Sequence, residues 1–342
     1  MVTGTGPTAS GQAYARPLPW QAAVGLLARD APSQVWRAPD DWPRWEVLLP
    51  HVLAVGDGFG GRQELAARTA DQVAWLLGRA GMYLKVLGQP SPSRRLMERA
   101  LAVAQSVHDD GDQVVAERML QLAMSLRDQG EPAAALSLIE RAEAAMEALH
   151  DPEHPELAAL SNKTLVLRAL GRHDEARDVA QRELALNEAV HGPHHPFVAI
   201  SLSDLASILR ELGDPASARP LVERALAIDE VAYGPHHPSV AVRLNTLAKV
   251  IHSLGDPATA RPLVERALAI DETCYGSDHP DVAVRLATLS EILQDLHDLP
   301  AARACAERAL AINTTRLGPD HPATTRGRHR LDQLDAFGRT EP

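Results

Sequence analysis

The sequence predicts an all-α protein, a right-handed solenoid of about six stacked helical hairpins. Three observations carry that expectation. Paired chain signals recur every 42 residues. Apolar residues fall in stripes at helical spacing. The composition is 45% apolar but only 4% aromatic, so the core must be mostly Ala, Leu and Val. Such a core requires close helix-to-helix approach and disfavours a sandwich of sheets.

The beat is regular. His-Pro pairs fall at 154, 195, 237, 279 and 321. Glycines follow the same count at 88, 130, 171, 213 and 255, with His297 where a sixth is due. Glu-Arg-Ala-Leu begins at 98, 223, 265 and 307, with Arg182-Glu183-Leu184-Ala185 in register between them. Self-similarity at a fixed period is the signature of a stacked array.

One unit shows the elements in order. From His237-Pro238 to Gly255, Leu244, Leu247, Ala248, Ile251 and Leu254 form one apolar stripe of a helix. Gly255 ends it. Asp256 is suited to cap the next helix, and Pro257 fits a first turn whose N–H has no partner in any case. Ala260, Leu263, Val264, Ala267 and Leu268 make the second stripe, and Gly276 stops it. Ala123, Ala206 and Ala248 hold one register of the first helix, and Ala218, Ala260 and Ala302 one of the second. These small residues mark where paired helices touch. Pro220 and Pro262 each forfeit one early backbone bond and are expected to bend the second helix slightly. A lone hairpin leaves an apolar face exposed, so neighbours must stack.

The pattern Leu244-x-x-Leu247-Ala248-x-x-Ile251-x-x-x-Gly255-x4-Ala260-x3-Val264-x-x-Ala267 resembles the tetratricopeptide repeat. The lengthened loops Tyr233-Gly234-Pro235-His236-His237-Pro238 and Leu317-Gly318-Pro319-Asp320-His321-Pro322 resemble the 42-residue variant of kinesin light chains and many bacterial proteins. The likeness is strong over 150–321 and looser over 63–149, where His108-Asp109-Asp110-Gly111 stands in one loop slot. It implies that the first helices line a concave groove. A second resemblance lies in front. Trp42-Pro43-Arg44-Trp45-Glu46-Val47-Leu48-Leu49-Pro50-His51-Val52-Leu53-Ala54, followed by Gly78-Arg79-Ala80-Gly81-Met82-Tyr83-Leu84, resembles the junction before the repeats in bacterial NB-ARC (STAND-type) regulatory NTPases. There the repeats form the sensor arm of a nucleotide switch. This chain has no G-x-x-x-x-G-K-[ST] phosphate loop, so nucleotide hydrolysis does not carry over. It is either a stand-alone derivative or an excised arm of a larger regulator, and an NTPase module in trans is one implied partner.

The two ends differ from the array. All five tryptophans (20, 36, 42, 45 and 75) lie in the first 75 residues. Residues 1–62 hold five Arg and five acids, so the acidic excess belongs to 63–342. The expected organisation is a disordered tail over 1–15 and a Trp-rich helical cap or junction over 16–62. The repeat array follows over 63–321, then a polar capping helix and tail over 322–342. Gly56-Asp57-Gly58-Phe59-Gly60-Gly61 reads as the linker between modules, since no following Lys makes it a phosphate cradle. A net charge of −11 disfavours nucleic acid or an anionic membrane as the main partner. No apolar run approaches the ~20 residues of a membrane span, and no secretory signal opens the chain. Two cysteines, Cys274 and Cys305, make no disulfide framework, so the expected home is the cytoplasm.

No catalytic set is present: neither H-E-x-x-H nor G-x-S-x-G occurs. The loop histidines His194-His195, His236-His237, His279 and His321 invite a metal, but each repeat displaces its pair from the next, whereas zinc needs ligands converging on one ion. The alternative is that His-Pro starts a helix; Cys274 and His279 are taken as structural. No metal or cofactor is expected. The candidate site is the inner face. Three residues before each glycine stand Lys85, Arg127, Arg168, Arg210 and His252, with Gln294 before His297. One turn earlier come Met82, Met124, Leu165, Ser207, Lys249 and Glu291; another turn back come Arg79, Gln121, Asn162, Asp204, Thr246 beside Asn245, and Thr288. The groove set is Arg79, Lys85, Arg127, Asn162, Arg168, Arg210, Asn245, Lys249 and His252. Such walls suit an extended peptide or protein segment with acidic groups or a free carboxylate. Alternatively, the ladder pairs with Asp128, Glu211, Asp295 and neighbouring acids. The expected function is a non-catalytic binding scaffold, a sensor or adaptor in bacterial signalling. The alternative is a regulator that senses a small ligand and acts on a partner NTPase or other enzyme.

Overall fold

A computed structural model describes residues 19–33, 35, 41–61, 67–149 and 156–337. The tail at 1–15, the His154-Pro155 pair and residues 338–342 lie outside the described residues. Those that are described form fifteen α-helices and no strand.

Six hairpins make the array. They are α3 (Ala67–Val86) with α4 (Pro90–Gln105), α5 (Gln113–Asp128) with α6 (Pro132–Leu149), α7 (Glu156–Ala169) with α8 (His173–His191), α9 (Pro196–Glu211) with α10 (Pro215–Tyr233), α11 (Pro238–Ser253) with α12 (Pro257–Tyr275), and α13 (Pro280–Asp295) with α14 (Leu299–Leu317). α1 (Pro19–Asp30) and α2 (Trp42–Asp57) precede them, and both pack on α3. α15 (Pro322–Phe337) follows and packs on α14. Each helix packs chiefly on its sequence neighbours, as a solenoid requires. The Gly56–Gly61 stretch completes α2 and adds one 3-10 turn, Gly58–Gly61. Among the described residues no helix is long and apolar enough to cross a membrane.

The punctuation acts through backbone groups. Asp214, Asp256 and Asp298 cap α10, α12 and α14 by accepting the N–H of Ser217, Thr259 and Ala301. Loop histidines cap the first helices. Nδ1 of His195, His237 and His279 accepts the N–H two residues on, at 3.1–3.2 Å. That nitrogen is therefore occupied, and among the described residues no three His, Cys, Asp or Glu side chains converge as a metal site would need. Gly255 turns the chain at φ +84°; the sixth unit has His297 there at φ +59°. The packed register thus imposes a left-handed backbone on a side chain that disfavours it, at a cost of about 1 kcal/mol. α10 and α12 run on unbroken through Pro220 and Pro262.

Small residues hold the hairpins together. Ala123, Ala206 and Ala248 are fully buried in the first helices, with Gly81, Thr164 and Ser290 at the same register. A Cβ on Gly81 would lie 3.0 Å from Met97 Cγ and 3.2 Å from the Ser93 carbonyl. Across from them, Ala135, Ala176, Ala218, Ala260 and Ala302 are fully buried.

A polar layer joins successive hairpins, and its spacing went unread in the sequence. Arg243 Nε donates to Asp229 at 2.9 Å, and Arg285 repeats the bond to Asp271 at 2.9 Å, both buried. One unit earlier the same places hold Ser201 and Asn187, 2.9 Å apart. There Ser201 also donates to the buried Glu183 carboxyl at 2.9 Å. Burial, aided by the Asp204 carboxylate, pushes the Glu183 pKa up to about 7 against the hydroxyls that donate to it.

Two expectations follow from this packing. Ala260→Trp should lower stability by about 3 kcal/mol or more, with loss of helical signal below the wild-type midpoint; an unchanged melting curve would contradict the register. Glu183 holds its proton to about pH 7 in the fold but releases it near 4.5 when unfolded. The folded state then binds more protons, so stability falls as pH rises through that window, by up to about 3 kcal/mol. Glu183→Gln should flatten the slope, measured by urea unfolding at pH 5 and pH 8; an equal slope in the variant would count against it.

Candidate functional site: the inner face of the first helices

The inner face is built by α3, α5, α7, α9, α11 and α13. Their common register sets Lys85, Arg127, Arg168, Arg210, His252 and Gln294 at one level, because each precedes its turn by the same count. The ladder is internally paired, and two of its carboxylates take two rungs each. Asp128 takes Lys85 at 2.7 Å and Arg127 at 2.5 Å. Glu211 takes Arg168 at 3.0 Å and Arg210 at 3.1 Å. Asp295 takes His252 at 2.6 Å, and Gln294 accepts from Arg330 of α15 at 2.7 Å. The pairing acids are Asp128, Glu211 and Asp295. Burial alone would raise the Asp128 pKa, but Lys85 and Arg127 override it and hold it at about 2. At the Lys85–Arg127 and Arg168–Arg210 levels two cations thus share one paired carboxylate, with Asp204 also facing Arg168 and Arg127.

The next level differs. Lys249 on α11 is half-buried and has no hydrogen bond or ion pair among the described residues. Burial pushes its pKa down to about 8; Glu291 pulls the other way, while Arg210, Arg285 and Arg168 press it further down. One turn before it, Asn245 is buried and its Oδ1 accepts from nothing. The structure thus places Asn245 deeper than a groove-lining residue needs to be. Asp204 on α9 has its pKa raised by burial, opposed by Arg168, Arg243 and Arg127. Buried polar atoms without partners are uncommon in folded proteins. Here an unpaired cation and an unpaired acceptor lie one turn apart on one helix.

The N-terminal part of the face is more filled. Arg79 lies 5.6 Å over the Trp75 ring and reaches Met82 Sδ at 3.8 Å. Its Nε is buried without a partner, and burial lowers its pKa against the pull of Glu117. Arg118, missed in the sequence because it sits off the ladder register, is buried beside it and bonds Gln121 at 2.9 Å and Glu117 at 3.0 Å. Asn162 spans to the Leu120 carbonyl at 3.4 Å and so ties α7 to α5. The groove set expected from the sequence falls into three groups: a paired ladder (Lys85, Arg127, Arg168, Arg210, His252), a stacked end (Arg79) with an inter-helix tie (Asn162), and a centre without ion pairs (Lys249, with the buried Asn245 beneath it).

Several solved structures are similar to this chain over most of its length. A Rap protein complexed with competence and sporulation factor superposes with a TM-score of 0.56 at 12% identity, covering 83% of this chain and 80% of that one. Aspartyl phosphate phosphatase F from Bacillus subtilis gives 0.52 at 13% identity, over 84% of this chain and 76% of that one. BtubC (BKLC) from P. vanneervenii gives 0.48 at 23% identity, over 70% of this chain and 93% of that one. No curated protein matches the chain. The tetratricopeptide repeat model matches residues 71–148, 155–230, 206–273 and 239–315, more than half of the sequence. With its six helical hairpins and its small-residue registers, the chain belongs to the tetratricopeptide repeat family.

Proposed function

We propose that the chain is a non-catalytic scaffold that binds a protein segment or extended peptide through the inner face of its first helices. The observation that carries this reading is the unpaired centre. Lys249 keeps a desolvated charge with no ion pair among the described residues and only the more distant pull of Glu291, one turn from an Asn245 oxygen with no donor. A fold under no demand but stability would fill that level with apolar side chains, because a desolvated charge without an ion pair is costly. A ligand carboxylate would take the Lys249 ammonium. The Arg168–Arg210 level, where two guanidinium groups share Glu211, adjoins it and suits further acidic groups. The N-terminal resemblance supports a sensor or adaptor role in bacterial signalling, with an NTPase module acting in trans. A fold neighbour held with competence and sporulation factor is in keeping with such a role.

Two measurements test it. Arg168→Ala with Arg210→Ala should weaken capture of the native partner at least about tenfold while leaving helicity unchanged; full retention would move the site off this face. Lys249→Met should raise stability at pH 7 by about 2 kcal/mol, since the desolvation it relieves is only partly offset by Glu291, and should abolish partner capture. A variant that is less stable than wild type would mean that Lys249 is a structural group.

A further inference from the structure

The hollow is not open along its whole length. The solenoid returns on itself after 193 residues, between four and five repeats, and the returning turn touches the first. His279 Nε2 lies 2.5 Å from the Val86 carbonyl oxygen, and His321 Nε2 lies 2.9 Å from that of Asp128. Both pairs are 193 residues apart, and they repeat each other one unit along. In each ring Nδ1 already accepts a backbone N–H, from Asp281 and Ala323. A neutral imidazole has one donor and one acceptor, so Nε2 carries the proton and donates it across the seam. Pro280 and Pro322 close over the glycine turns beside those carbonyls. A Cβ built on Gly88 would come within 2.7 Å of Pro280, and one on Gly130 within 2.6 Å of Pro322. At the N-terminal side, Trp42 stacks on Tyr275 at 5.4 Å, and Tyr275 stacks on His279 at 4.4 Å. The equivalent turns at Gly171, Gly213 and Gly255 have nothing within 4 Å of a built Cβ.

None of the buried apolar clusters holds residues from both sides of this seam. It is therefore held by hydrogen bonds, proline contacts and one aromatic stack, with no shared core. Parting it breaks far fewer contacts than opening any hairpin. We propose that these contacts form a clasp between successive turns of the solenoid, and that a ligand enters and leaves the inner face when the clasp opens. The second half of that statement rests on the groove reading above; the clasp itself does not.

Matched glycines provide the test. Gly88, Gly130, Gly213 and Gly255 all have positive φ, so alanine carries the same backbone penalty at each. Only at 88 and 130 does the added Cβ meet the clasp. With Cys274 and Cys305 replaced by Ala, Ser207→Cys places a single thiol on the inner face. A polyethylene-glycol maleimide should label it slowly in that parent, and about tenfold faster or more when Gly88→Ala and Gly130→Ala are added. The small reagent N-ethylmaleimide should label all forms alike. The Gly88/Gly130 pair should also enlarge the radius of gyration in solution scattering, while Gly213→Ala with Gly255→Ala should not. Trp42→Leu, which removes the stack without touching a turn, should act in the same direction should the glycine pair fail to fold. Equal rates for both reagents in the parent, or equal effects of the two glycine pairs, would overturn the clasp. No ligand is needed for these readouts. A parent that is open to the bulky reagent defeats the clasp alone, and unimpaired capture by the Arg168/Arg210 variant defeats the groove reading alone.

Discussion

The structure depends on close approach within each hairpin. At the crossing point the first helix offers Gly81, Ala123, Ala206 or Ala248, and the second offers Ala135, Ala176, Ala218, Ala260 or Ala302. Small side chains there let the larger ones on either side, such as Leu244, Ile251 and Val264, seal the two helices together. Apolar burial of that kind contributes about 1.5–3 kcal/mol per large side chain, so a single misplaced bulk costs more than its own contact. The same constraint explains His297. Once the hairpin is packed, the chain must turn in a left-handed conformation, and it does so even where glycine is missing.

Between hairpins the chain uses polar groups. Asp229–Arg243 and Asp271–Arg285 bury a charge pair at each junction. A buried pair is weak evidence of stability but strongly fixes partners, since one charge left alone is costly. Asn187 and Ser201 do the same work without charge, and Glu183 fills the space beside them as a carboxyl that keeps its proton to about pH 7. On the inner face the logic is relaxed. Asp128 and Glu211 each serve two cations, while Lys249 ion-pairs with no described acid and feels Glu291 only at a distance.

The Trp-rich segment acquires a place in this scheme. Trp45 is fully buried and stacks with Tyr83 at 6.1 Å, which seats α2 on the first hairpin. Trp42, three residues earlier, faces the far turn of the solenoid through Tyr275. One short helix therefore covers the open end of the array and reaches the returning turn.

Periodicity, the paired small residues and the Asp-Pro and His-Pro starts were legible in the sequence, because each is a local rule repeated at one spacing. They determined helix type, hairpin count and the shared register of the inner-face ladder. The identity of the pairing acids was legible only as an alternative, since Asp128 could meet Lys85 only if α5 lies beside α3 at the correct height. The buried Asp–Arg junctions and Arg118 were not found, although Asp229 and Arg243 do recur 42 residues on as Asp271 and Arg285. The seam was beyond sequence reading altogether. Whether residue 86 meets residue 279 is set by a small rotation per repeat summed over several units, and only the tertiary structure fixes that sum. The sequence by itself determined the brick; the stacking angle decided that the wall closes.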